Sequence, residues 1–205
     1  MPGQPAIIEP GAPEEGSCWF VYLLSLADCT AFKVGFSCNP LQRIYAFTHR
    51  YFERFDLHQS QLLRVQSHDE ARAIEAALKS TFAEWRVECP AWVSQDAGGR
   101  TEWFSAVYFS DAHERVREFR REHAGAQLVT AHEFVHEELS RLTGTFESWA
   151  WSQAHQVSSA PPPEADESSR VLRDWLDAYR VLEIPLFVDD PAVRIFVEGS
   201  CGHWR

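Results

Sequence analysis

Two apolar runs separated by a short turn near the start of the chain constrain its fold more than any other feature. The first, Cys18-Trp-Phe-Val-Tyr-Leu-Leu-Ser-Leu26, is rich in aromatic and aliphatic residues and reads as a buried strand. Ala27-Asp28-Cys29-Thr30 makes a turn, and Ala31-Phe-Lys-Val-Gly35 reads as the returning strand of a hairpin. Asn39-Pro40 then predicts a helix start, with Asn as the cap and Pro at the first helical position. That helix is expected to reach about Arg50, with Leu41, Ile44, Tyr45 and Thr48 on its inner side. Gln61-Leu-Leu-Arg-Val65 is a third strand. Ser67-His-Asp-Glu70 is a capping-box opening for a second helix to about Trp85, whose Ala71, Ile74, Leu78 and Phe82 recur at helical spacing. After a loop with Pro90 and Gly98-Gly99, Thr101-Glu-Trp-Phe104 closes the unit. The order β-β-α-β-α-β predicts an α/β (α+β) domain, a small mixed sheet of about 3–4 strands flanked by helices.

Further along, helices are expected near Ser110 to His123 and from Thr130 to Leu142. The Ser-, Pro-, Ala- and acid-rich stretch from Gln156 to Ser169 reads as a linker. A helix from Ser169 to Leu182 and two apolar runs, Leu186-Phe-Val188 and Val193 to Val197, follow it. The expected division is a disordered tail (1–16), the α/β domain (17–125), a helical extension (126–156), a linker (157–169) and a C-terminal helix with short strands (170–205). The tail lacks the basic start and apolar centre of a signal peptide, and no run is long and apolar enough to span a membrane. A cytoplasmic protein is the expectation. Five cysteines without a CxxC pair argue against a disulfide scaffold or a zinc ribbon, and are expected to be reduced, mostly buried thiols.

A net charge of −11 sits awkwardly with nucleic-acid chemistry, but the charge is unevenly spread. Ser17 to Ala106 carries nine Lys/Arg against ten Asp/Glu. Three acids precede it, and ten basic and seventeen acidic residues follow it. The acidic C-terminal part suits a basic protein partner.

The hairpin and the two helices carry an ordered set of polar residues. Phe20-Val21-Tyr22 lies on the first strand and Lys33-Val34-Gly35 on the second, with Lys33 eleven residues after Tyr22. Arg43 follows Gly35 by eight residues in the first helix, and Glu75 lies in the second helix. This set resembles the GIY-YIG nuclease superfamily, whose hairpin carries Gly-Ile-Tyr and Tyr-Ile-Gly, followed by a helical Arg and a metal-binding Glu. The closing Glu102-Trp-Phe104 resembles one subgroup. Phe20 replaces the first Gly, which bears on packing more than chemistry. Lys33 replaces the second Tyr, as in some subgroups, and no residue matches the family's further downstream polar position.

The resemblance implies a metal-dependent endonuclease acting on nucleic acid, DNA ahead of RNA. Tyr22 would activate or orient water, Arg43 would hold the scissile phosphate, and Glu75 would coordinate one Mg²⁺ or Mn²⁺ ion. Lys33 would assist with phosphate charge, since an ammonium is no base unless its pKa is depressed. Taken singly, each residue has a plainer reading: Tyr22 a strand aromatic, Gly35 a turn residue, Arg43 a solvated helix residue. Glu75, at the edge of an inner face, needs a partner, a metal or solvent. A catalytically silent module that binds protein or nucleic acid is the alternative.

A second motif competes. His132-Glu133-Phe-Val-His136 satisfies HExxH, the zinc metalloprotease pattern. Thr130-Ala-His-Glu133 is also a capping box, which explains Glu133 without a metal. Arg115, Arg117, Arg120 and Arg121, interleaved with Glu114, Glu118 and Glu122, read as a solvated helix with internal ion pairs.

Overall fold

The computed structural model of the chain describes residues 18–159, 162–187 and 193. The tail 1–16, Val188, Arg194 to Val197 and Cys201 therefore lie outside the described residues. The hairpin forms as its sequence requires. β1 (Trp19–Leu26) and β2 (Ala31–Ser37) pair antiparallel, with Tyr22 opposite Gly35 and Leu24 opposite Lys33. α1 (Pro40–Phe47) opens on Asn39, whose side chain accepts from the Gln42 N–H at 3.0 Å. It ends earlier than the sequence suggests, and α2 (Tyr51–Arg54) follows as a single turn.

β3 runs from Phe55 to Val65, six residues further toward the N-terminus than expected. The reason is an irregularity in its pairing with β1, where the register shifts between Leu23 and Ser25. The polar stretch at that shift breaks the alternation by which a strand is recognised. Ser60 bridges it, accepting from the Ser25 N–H at 2.9 Å and donating to the Asp56 carbonyl at 2.6 Å. α3 (His68–Thr81) carries its expected cap, with the Glu70 N–H donating to Ser67 Oγ at 3.2 Å.

β4 (Trp103–Ser105) pairs with β2, and after α4 (Phe109–Glu122) comes β5 (Gln127–Thr130), paired with β3. The sheet thus has five strands in the order β4-β2-β1-β3-β5, with antiparallel pairing throughout. The α+β class with flanking helices stands as expected. β5 falls within the stretch expected to be a helical extension (126–156), because four residues are too short for strand alternation to stand out.

Alternation along the strands divides the sheet into two faces. Val21, Leu23, Phe32, Val34 and Leu63 point to one side and build a core with Ala71, Ile74 and Leu78 of α3 and Val116 and Phe119 of α4. Tyr22, Leu24, Lys33, Leu62 and Trp103 take the other side, all of them buried.

The chain divides into two compact units at Val135 and His136, within α5 (Ala131–Ser159). In the second unit, Phe146 stacks on Tyr179 of α6 (Pro162–Val181) with ring centroids 4.4 Å apart, and the Tyr179 hydroxyl donates to the Leu139 carbonyl at 3.0 Å. Most of the stretch read as a linker is therefore helical. The prolines and acids that suggest a flexible segment also suit a first helical turn, where Pro lacks only an unneeded N–H and acids favour the dipole. The four described cysteines are free, and none is fully buried, contrary to expectation.

Candidate active site

Four of the five residues singled out in the sequence meet around one polar cluster, and Gly35 explains how. A Cβ at Gly35 would fall 2.2 Å from the Tyr22 hydroxyl oxygen and 2.4 Å from Cζ of its ring. Gly35 is thus a mid-strand residue whose missing side chain makes room for Tyr22, rather than a turn residue. Phe20, in place of the first motif's Gly, packs edge-on to Phe134 at 5.1 Å.

The Tyr22 hydroxyl accepts from Nε of Arg43 at 3.3 Å. Burial pushes this phenol up to about 12, against the lowering influence of the Arg43 guanidinium. Tyr22 is therefore neutral near pH 7 and does not act there as a phenolate base. Arg43 also donates through Nη1 to the Ala97 carbonyl. That carbonyl belongs to the loop before β4, where Gly98 and Gly99 both take φ 64°, a left-handed conformation that favours glycine.

Lys33 is wholly buried, and its ammonium has three acceptors around it: the Gly99 carbonyl at 2.7 Å, Glu102 Oε2 at 3.0 Å and the Val34 carbonyl at 3.5 Å. Burial draws Lys33 below its ordinary value, while Glu102 opposes that change. Direct contact with a phosphate would require the Gly99 carbonyl to be exchanged. A Cβ at Gly99 would sit 2.7 Å from Glu102 Oε2, 2.9 Å from Lys33 Nζ and 3.0 Å from Arg43 Nη2, so the loop backbone fits tightly among these charges.

Glu75 finds its partner one helical turn on. Lys79 Nζ lies 2.8 Å from Glu75 Oε2 and 3.3 Å from Glu102 Oε1. One ammonium thus joins the α3 carboxylate to the carboxylate that neutralises Lys33. Burial alone would raise Glu102, but Lys33 and Lys79 together hold it below the ordinary carboxylate range. Glu102 and Lys79 were missed as site residues. The signals were present: a Lys alternating with buried positions in a strand demands a counter-charge, and Glu75/Lys79 is an i,i+4 pair in the favourable orientation.

The HExxH motif resolves as its capping reading predicts. The Glu133 carboxylate accepts from the Thr130 N–H and hydroxyl, each at 2.9 Å, and the Glu133 N–H donates to Thr130 Oγ at 3.1 Å. The His132 ring stacks on His58 at 4.0 Å. Among the described residues no three His, Cys, Asp or Glu side chains converge as a metal cage.

A five-stranded antiparallel sheet with Tyr, Arg, Lys and Glu gathered beside its β1-β2 hairpin defines a small α+β domain with one polar cluster. A model of the T5orf172 domain matches residues 19–124, and the chain belongs to that family, a GIY-YIG/HNH-like, nuclease-associated domain. No curated protein and no solved structure matches the chain. Among the described residues no helix is long and apolar enough to cross a membrane.

Proposed function

We propose that this chain is a metal-dependent endonuclease that hydrolyses phosphodiester bonds at the Tyr22–Arg43 cluster. The observation that carries the reading is the bond from Arg43 Nε to the Tyr22 hydroxyl, made possible by Gly35, with Lys33, Glu102, Lys79 and Glu75 linked in one chain of contacts beside it. Arg43 presents a rigid fork of donors suited to two phosphoryl oxygens. The neutral Tyr22 hydroxyl orients the water whose oxygen bonds to phosphorus as the bond to the departing sugar oxygen breaks, one proton of that water passing in net through solvent to the departing oxygen. Lys33 acts as a fixed buried positive charge that stabilises the phosphoryl oxygens through space.

Glu75 supplies one hard carboxylate oxygen site, which fits a Mg²⁺ or Mn²⁺ ion that keeps most of its waters. Such an ion, when bound, would supply charge for the departing oxygen and lower the pKa of a bound water. Lys79 holds that carboxylate through its ammonium, so the ion would take over a position already favourable to a cation.

The test is cleavage of plasmid, single-stranded DNA and RNA with Mg²⁺ or Mn²⁺, comparing the parent with Arg43→Ala and Glu75→Ala. Each variant is expected to lose roughly 10²-fold or more in rate, the scale of removing one transition-state charge contact. Equal cleavage by parent and variants would overturn the assignment.

A catalytically silent nucleic-acid-binding module is the second reading. It is favoured by the Ala97 and Gly99 carbonyls, which occupy donors of Arg43 and Lys33. A parent protein that binds these substrates but cleaves none, with either metal, would establish it.

A further inference from the structure

α4 carries its charges in two unlike arrangements. Ala112, Val116 and Phe119 turn inward. Arg117, Arg120 and Arg121, at spacings of three and four residues, share another face and are all exposed. With Leu128 of the edge strand β5 they line an open hollow of about 390 Å³.

The expected pattern of internal ion pairs holds for Arg115, which reaches Glu118 at 2.5 Å and Glu122 at 3.6 Å. It does not hold around the hollow. Arg117 and Arg121 share a single carboxylate, Glu114, at 3.5 and 2.9 Å. Arg120 has no ion-pair partner among the described residues. Three guanidinium groups thus face one carboxylate, a local positive excess on a chain whose net charge is −11.

The chemistry of the lining selects the ligand class. Among the described residues no aromatic ring lines the hollow, which leaves them no surface on which bases stack. Guanidinium forks match phosphate oxygens, and such open contacts gain strength when a polyanion engages several at once and releases its counterions. We infer that this face of α4, with Leu128, docks the sugar-phosphate backbone of a nucleic acid at a place separate from the Arg43 cluster. The inference rests on the nucleic-acid reading above.

Position adds a length requirement. Lys33 lies on β2 and Leu128 on β5, three strand positions apart across the sheet. At about 4.8 Å per position that is roughly 14 Å, or about four phosphates at 3.4 Å each along one strand. Leu128, opposite Leu63, lies on the other face of the sheet from Lys33, so a nucleic acid that engages both places must also pass round the sheet and extends beyond that length. Short oligonucleotides are therefore held less tightly than long ones.

The test uses the full chain without divalent metal, so that binding is read without cleavage. Anisotropy of a fluorescein-labelled DNA duplex of roughly 20 bp, and of its single strand, is followed between about 50 and 200 mM salt. A variant with Arg117, Arg120 and Arg121 all changed to Gln is expected to flatten the slope of log affinity against log salt by about 2–3 units, at 0.9 per lost phosphate contact. Arg120→Gln alone leaves both Glu114 pairs intact and is expected to flatten it by about 1 unit. Unchanged slopes in both variants, while Arg43→Ala weakens binding, would overturn this inference and leave the nucleic-acid reading in place. A parent that binds neither duplex nor single strand would overturn both.

Discussion

Replacing Gly35 with Ala tests the link between the motif's glycine and its tyrosine. The added carbon would stand 2.2 Å from the Tyr22 hydroxyl, 2.4 Å from Cζ and 2.7 Å from Cε2. Carbon atoms in good contact keep about 3.5–4.0 Å, so the ring must move by more than about 1 Å. It has nowhere to go, being 1% exposed and paired on its other side with Leu62. Overpacking of this kind costs about 1–3 kcal/mol, and a displaced hydroxyl that loses its Arg43 contact adds about 1–3 kcal/mol.

Against this, Ala in place of a strand Gly returns about 0.5–1 kcal/mol of chain entropy. The expected net loss is about 3 kcal/mol, read from urea unfolding followed by circular dichroism. In a Tyr22→Ala background the same change should cost less than about 1 kcal/mol, because the clashing ring is gone. In a Tyr22→Phe background it should remain costly, since Cζ belongs to Phe as well. A Gly35→Ala penalty that is the same in all three backgrounds, or absent from the parent, would refute the steric account.

Two further predictions concern charge and capping. Glu102→Gln removes the carboxylate from the buried Lys33 and should lower stability near pH 7 by about 3 kcal/mol. Because Glu102 is held below its ordinary value of 4.5, its contribution is complete above that pH and is lost as pH falls through the folded-state value. The stability gap between parent and variant should therefore close on acidification; a gap independent of pH would contradict the pairing. Thr130→Ala opens the capping box at the start of α5 and should cost about 1 kcal/mol in a denaturant melt, with zinc making no difference. A melt raised by zinc in the parent alone would return HExxH to consideration.

The parts legible in the sequence were those governed by neighbours along the chain. Asn39-Pro40 and Ser67-His-Asp-Glu70 announced their helices because caps are local bonds, and Trp19 to Gly35 announced a hairpin by its runs and turn. The parts that stayed hidden depend on residues far apart. β3 begins at Phe55 because Ser60 reaches Ser25, 35 residues away, to bridge an irregular pairing. Glu102 joins the site through Lys33, 69 residues distant, and through Lys79 on another element. The start of α6 was obscured for the opposite reason, since proline and acids mark both linkers and first helical turns.

The pairing within the cluster leaves it with a surplus that is easily overlooked. Lys33 and Lys79 are balanced by Glu102 and Glu75, cation for anion. Among the described residues Arg43 bonds to the Tyr22 hydroxyl and the Ala97 carbonyl, both uncharged. The site therefore stands one elementary charge positive at rest, inside a protein that is strongly negative as a whole. Before any divalent ion binds at Glu75, a single phosphodiester, with its one negative charge, would bring that corner to neutrality; a terminal phosphate monoester, with nearly two, would overshoot it.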